Sequence, residues 1–268
     1  MNVTLVYPPN RNIPSSPYGA LPLLAGCLGD AGHRVRIVDA NLDTFERLIQ
    51  NDTLEAAHRE FEAMWTRLRN EPALTAGELR HLQGLAELSV VPFERLKGGE
   101  EAGRILRDPE LFADPEKVNW AYDTLANVTR ALYAINPLFY LLKPGALDEF
   151  FGYMESDFTN PVKQLVDAHA IDAILATEPE LVGVCVPFNE QFVEAFSLLK
   201  ELKRRAPHIK TIVGGAIITA YAEKLCRDER FYQYADYGMP GEADQAFPEF
   251  VTALEQGGDL DQIPNLFR

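Results

Sequence analysis

The chain has 268 residues, 47% of them apolar, and a formal net charge of −15. That length and apolar content suffice for one large domain or two small ones. The acidity argues against nucleic acid or an anionic membrane as the main partner, because either needs a basic face.

No apolar run reaches the length of a membrane span, and the N-terminus enters a strand without a basic signal region, so a cytoplasmic location is expected. Val3 to Tyr7 reads as a short apolar strand, followed by a proline-rich loop from Pro8 to Pro17. A helix from Tyr18 to Ala31 follows, built on Leu21, Leu24, Ala25 and Leu28 and stopped by Gly32. Val35 to Val38 is the next strand, with Asp39 and Asn41 at its C-terminal edge. An acidic residue there suits the ribose of a dinucleotide only if G-x-G-x-x-G follows the first strand. The loop Pro8-Pro9-Asn10-Arg11-Asn12-Ile13-Pro14 has no glycine, which excludes NAD and FAD.

From Leu42 to Pro179 strand signals vanish and helix-period segments take over. They cover Phe45–Leu68, Ala76–Leu88, Pro92–Leu106, Lys117–Leu132, Leu147–Met154 and Pro161–Ala176. Prolines punctuate them as connectors between short helices would. Aromatic residues crowd the later part (Trp120, Tyr122, Tyr133, Phe139, Tyr140, Phe150, Phe151, Tyr153 and Phe158), and a helical core accounts for most of them.

Leu181 to Val186 is an apolar, β-branched run, as a strand buried on both faces requires. An amphipathic helix carries Phe192, Ala195, Phe196, Leu199 and Leu202, and Pro207 ends it. Thr211 to Val213 is a fourth strand running into Gly214 and Gly215. Ala220–Arg227 reads as a helix, Tyr234–Tyr237 as a weak fifth strand, and Gln245–Gln256 as the last helix. Because the α/β pieces each supply only part of a sheet, the pattern predicts one five-stranded α/β domain with an all-α insertion. The expected boundaries are residues 1–41 and 180–258 for the sheet domain, 42–179 for the insertion, and 259–268 for an exit linker.

The three cysteines, Cys27, Cys185 and Cys226, lie far apart and match no zinc or iron–sulfur spacing, so free thiols are expected. A receiver-like signalling module is excluded as well, since Tyr7-Pro8-Pro9 and Cys185 stand where it needs acidic residues.

Five segments in order resemble the N-terminal cobalamin-binding domain of B12-dependent radical S-adenosylmethionine enzymes: Val6–Asn10, His33–Asn41, Glu180–Phe188, Lys210–Thr219 and Tyr237–Asp244. The resemblance covers residues 1–41 and 180–268. It implies a flavodoxin-like, doubly wound five-stranded parallel sheet that holds cobalamin by Pro9, Asn10, Tyr18, Cys185, Pro187, Phe188, Asn189, Gly214, Gly215, Ala216, Gly241 and Glu242. It also implies a [4Fe–4S] cluster and S-adenosylmethionine in a partner catalytic domain or subunit, and methyl transfer to an unactivated carbon of a peptide or small molecule. Ring-forming or rearranging chemistry is a sibling reading, and a stand-alone B12 sensor or carrier is another.

The departures from known patterns are informative. The D-x-H-x-x-G that supplies a lower histidine to cobalt in methionine synthase-like proteins is absent, and Cys185-Val186-Pro187 only partly matches their S-x-L. Asp167-Ala168-His169 mimics part of the histidine motif in a helical segment and without its glycine. No protein histidine is therefore expected on cobalt. The chain also lacks C-x-x-x-C-x-x-C, so the parent enzyme's radical chemistry is expected from an adjoining barrel or a separate subunit. Gly214-Gly215 is expected to let the nucleotide tail pass, so that Gly215→Leu weakens binding and leaves the fold intact.

Overall fold

The structure, a computed structural model, describes residues 1–10, 13–14, 16–75, 78–79, 82–83, 85–86, 93–134, 147–155 and 161–268. The chain forms two compact units: Met1–Asn10, Ser15–Leu42 and Asp167–Arg268 in one, Arg11–Pro14 and Asp43–Val166 in the other.

The first unit is built on five strands, β1 (Asn2–Tyr7), β2 (Arg34–Asp39), β3 (Leu181–Cys185), β4 (Lys210–Gly214) and β5 (Tyr237–Met239). Their order is β2-β1-β3-β4-β5 and every pairing between neighbours is parallel. This is the flavodoxin-like order, in which chain direction across the sheet reverses between β1 and β3 and leaves a crevice at their C-terminal ends.

Alternation along each strand sorts the core. Val3, Leu5, Tyr7, Leu181, Cys185, Ile212 and Met239 gather with Leu21 and Leu28 of α1 (Ala20–Asp30). Ala246, Phe247, Phe250 and Val251 of the last helix, Ala246–Gln256, complete that cluster. β3 is buried at every position, which explains its unbroken apolar run. β2 is an edge strand, and Arg34, Arg36 and Ile37 are exposed along it; charge on an edge discourages pairing with another chain.

The second unit is helical. α2 (Ala40–Leu48) leads into it, and α3 (Asn51–Asn70), α4 (Gly99–Arg107), α5 (Pro109–Phe112), α6 (Pro115–Ala134) and α7 (Leu147–Glu155) follow. Its core includes Phe45, Ile49, Leu54, Leu68, Leu85, Ile105, Leu125 and Val128. α8 (Pro161–Leu175) returns the chain to β3, and α9 (Phe192–Arg205), α10 (Ala216–Leu225) and α11 (Ala246–Gln256) complete the first unit. Among the described residues no helix is long and apolar enough to cross a membrane.

Several elements differ from the sequence reading. The fifth strand is Tyr237–Met239, not Tyr234–Tyr237, because Tyr234 and Ala235 close the 3-10 turn Glu229–Gln233 by bonding back to Phe231 O. The helix expected at Ala220 begins at Ala216, where Gly215 turns the chain and the Ile217 N–H donates to Val186 O. The helix expected over Phe45–Leu68 breaks at Gln50, whose extended backbone starts a new one. The second inter-unit boundary falls before Asp167, so most of α8 belongs with the sheet. The tail is not a free exit segment within residues 260–268. Phe267 exchanges both backbone hydrogen bonds with Gly238, and Phe231 lies 5.1 Å from its ring. Phe150 and Phe151 are buried as expected, whereas Trp120 and Tyr122 are 46% and 45% exposed. Phe139, Tyr140, Phe158, most of Ala76–Leu88 and His81 lie outside the described residues, as do the side chains of Tyr133 and Tyr153.

The short β5 is held to β4 by one carboxylate. Asp236 accepts from Thr211 N–H at 2.8 Å, Thr211 Oγ1 at 2.9 Å and the Lys203 ammonium at 2.9 Å. Burial works against its ionisation, but Lys203 and the Thr211 donors outweigh that and hold its pKa below the ordinary value. A depressed carboxylate adds stability that is complete above its unfolded pKa and lost as pH falls through the folded one. Asp236→Asn should therefore cost about 1–2 kcal/mol at pH 7, with the gap to the wild type narrowing at pH 3, as read by urea unfolding at both pH values.

Candidate functional site

At the C-terminal ends of β1 and β3 the loop residues are locked by the chain itself. Asn10 N–H donates to Asn41 Oδ1 at 2.7 Å, and Leu42 N–H donates to Asp39 Oδ1 at 3.0 Å. The two polar residues at the end of β2 and the start of α2 thus hold the first loop and open that helix. Pro9, Asn10 and Pro187 are buried, while Phe188 and Asn189 are exposed.

Aromatic rings line this edge. Tyr18 stacks on Tyr7 with centroids 5.2 Å apart and planes 8° from parallel, and Phe188 meets Tyr18 edge-on at 6.4 Å. Burial pushes the pKa of both tyrosines up. The Tyr7 hydroxyl lies beside the Asn10 and Gln191 side chains. Gln191 is fully buried; its Nε2 donates to Pro8 O at 2.6 Å, and its Oε1 has no hydrogen-bond partner among the described residues.

Next to this edge, on the α1/α11 face of the sheet, lies a slot. Its walls are Leu5, Leu21, Leu24, Gly183, Val184, Cys185, Ile212, Val213, Gly214, Gly215, Met239, Ala243 and Phe247, and it holds about 390 Å³ including its open mouth. Most of that is the open mouth: the enclosed space is about 50 Å³, small beside the ~300–1,000 Å³ usual for small-molecule sites, so a ligand entering it must widen the slot or extend through the mouth. No lining side chain is charged. Burial pushes the Cys185 thiol up to about 12, so it stays a neutral S–H at physiological pH. Gly183 keeps the floor open, since a Cβ there would lie 3.2 Å from Leu5 Cδ2 and 3.3 Å from Phe247 Cζ.

The residues expected at the site fall into three groups. Cys185, Gly214 and Gly215 line the slot; Pro9, Asn10, Tyr18, Pro187, Phe188 and Asn189 surround the neighbouring crevice; Ala216, Gly241 and Glu242 line neither and are exposed. Sequence reasoning missed Gln191 and the wall formed by Leu21, Leu24, Met239, Ala243 and Phe247. Gly183 was legible, because a glycine inside an apolar strand marks a close approach. Among the described residues no group of histidine, cysteine or carboxylate side chains could hold a metal ion.

Gly215 has a different physical task from the one expected. Its φ is +103°, and a Cβ there would lie 2.8 Å from the backbone of Val186. The close approach is made by the protein's own chain. Gly215→Leu consequently acts on the fold: strain and the clash should lower stability by about 2–3 kcal/mol, and urea unfolding should show it with or without ligand.

No curated protein and no solved structure matches the chain. The family model of the B12 binding domain does match, over residues 142–251, a range that takes in β3, β4 and β5 with the loops between them. The slot walls from Gly183 to Phe247 fall inside that range, and the match supports a cobalamin-binding domain in this chain.

Proposed function

We propose that this chain is the cobalamin-carrying part of a B12-dependent radical S-adenosylmethionine enzyme, and that its catalytic partner domain or subunit uses the corrinoid in methyl transfer to an unactivated carbon. The observation that carries the cobalamin reading is the neutral, apolar slot at the strand ends, whose walls from Gly183 to Phe247 fall in the stretch matched to the B12 binding domain. Its lining suits the apolar base of a nucleotide tail, while the crevice beside it offers amides and rings to the uncharged periphery of a corrin.

The radical half of the reading rests on sequence. The five ordered segments resemble that family, and the described histidines of the sheet unit stand away from the strand-end loops. His33 precedes β2, His208 precedes β4, and His169 is an exposed residue of α8. The cluster and S-adenosylmethionine belong to the partner, since Cys27, Cys185 and Cys226 are dispersed.

Bound cobalamin would supply a cobalt centre able to carry and release an alkyl group. The chain's own residues bind and orient it. Leu21, Leu24, Met239 and Phe247 give the slot an apolar surface for the ligand to cover. Tyr18 and Phe188 form an aromatic lip, and Gln191 Oε1 is an acceptor already desolvated and unpaired among the described residues. Cys185, held as a thiol, contributes packing and no thiolate.

Titration of the purified chain with hydroxocobalamin and with flavin mononucleotide, followed by visible absorbance, tests the reading. Cobalamin should bind and flavin should not; tight flavin binding without cobalamin binding would sink it. Ala243→Phe, at a half-buried position on the slot wall, should weaken cobalamin binding at least tenfold, about 1.4 kcal/mol, with thermal stability unchanged. Electron paramagnetic resonance of the bound cob(II) form should show no nitrogen splitting that disappears when His33, His58, His81, His169 or His208 is replaced.

A further inference from the structure

The slot is unusual in what its walls do not offer. None of its lining side chains carries an oxygen or nitrogen; the polar atoms nearest to hydrogen-bonding use are the sulfurs of Cys185 and Met239, a weak donor and a weak acceptor. Much of the backbone around it is committed elsewhere. β3 and β4 are in register from Leu181 with Lys210 to Cys185 with Gly214, which occupies the strand groups between the two. Beyond the strands, Gly214 O accepts from Val186 N–H at 2.8 Å. Gly215 O accepts from Thr219 N–H and Thr219 Oγ1, both at 3.0 Å. Ala243 O accepts from Phe247 N–H at 2.9 Å. The side chains that an entering base meets thus offer no oxygen or nitrogen to its ring nitrogens or exocyclic amine, only the weak sulfur groups of Cys185 and Met239.

We propose that this slot makes the chain selective among corrinoids by their nucleotide base, accepting a carbon-rich base such as dimethylbenzimidazole and discriminating against a purine such as adenine. The proposal rests on the reading that the nucleotide tail of a corrinoid enters the slot. Its physical basis is desolvation. Adenine brings an amino group and several ring nitrogens that water satisfies outside the slot, and burying such groups without partners is unfavourable. Dimethylbenzimidazole brings fewer polar atoms and two methyl groups, which suit the aliphatic and thioether surfaces of Leu21, Leu24 and Met239 and the ring of Phe247. The thiol of Cys185 remains protonated in this setting, so it gives no anion to attract the amine.

The experiment compares cobalamin, the corresponding adenine-containing cobamide, and cobinamide, which lacks the nucleotide, each titrated into the purified chain by visible absorbance or protein fluorescence. Cobalamin should bind at least tenfold more tightly than the adenine form, and cobinamide more weakly than cobalamin. Leu24→Asn, at a half-buried wall position, adds an amide that both donates and accepts; it should shrink the ratio between the two complete cobamides to less than threefold. Ala243→Ser is the second variant, needed if Leu24→Asn does not fold, and should narrow the ratio in the same direction. Equal affinity of the wild type for both bases, or a ratio that neither folded variant moves, overturns the selectivity while leaving cobalamin binding in place. If none of the three corrinoids binds, the functional reading itself fails and the selectivity falls with it.

Discussion

The peptide of Val186 occupies the space that a side chain at position 215 would need, and the arrangement of the strand ends follows from that contact. With Gly215 at φ +103°, Val186 N–H reaches Gly214 O and Ile217 N–H reaches Val186 O. The two hydrogen bonds fasten the end of β3 to the end of β4 and start α10 immediately beyond the strand. A β-carbon at 215 would force the two loops apart. Because α10 begins so early, Gly214, Gly215 and Cys185 remain together on the wall of the slot.

Around that junction the sheet serves two solvents. Its inner strands β1 and β3 are buried along nearly their whole length, Thr4 included, whereas the edge strand β2 exposes arginines. At the C-terminal edge the polar atoms of the loops are largely consumed within the protein: Asn41 holds Asn10, Asp39 starts a helix, and Gln191 ties the 3-10 turn after β3 to Pro8. The result is a preorganised edge, without a lysine or arginine among its described loop residues, beside an apolar slot. Such a site suits a large uncharged ligand with an apolar end far better than a phosphate-rich one, which needs free N–H groups or cations.

The chain also invests in keeping the far wall in place. Met239 and Ala243 belong to the segment that leaves β5, and Thr219 Oγ1 accepts from Gly241 N–H at 2.8 Å. On the outer side Phe267 pairs with Gly238 and its ring fills the space left by the missing side chain. Asp236 fixes the start of the same strand through Thr211 and Lys203. A strand of three residues has little pairing energy of its own, so these contacts position one side of the slot.

Much of this was written locally. Leu181–Val186, the helix of Phe192 to Leu202, and Gly214-Gly215 declare themselves by apolar continuity, helical spacing and paired glycines. The strand, helix and glycine-pair patterns depend on neighbours a few residues away, which is the range over which composition and periodicity act. Tertiary structure decided the rest. β5 is too short to have a pattern, and its limits are set by Asp236 and by the tail that docks on Gly238. The helix at Ala216 overrides the β-branched Ile217-Ile218-Thr219 because Gly215 and Val186 prescribe its first turn. Above all, Leu21, Leu24, Met239, Ala243 and Phe247 read singly as ordinary core residues; they become the walls of a slot only because folding brings α1 and the chain after β5 to one face of the sheet, a juxtaposition across more than two hundred residues that no local pattern encodes.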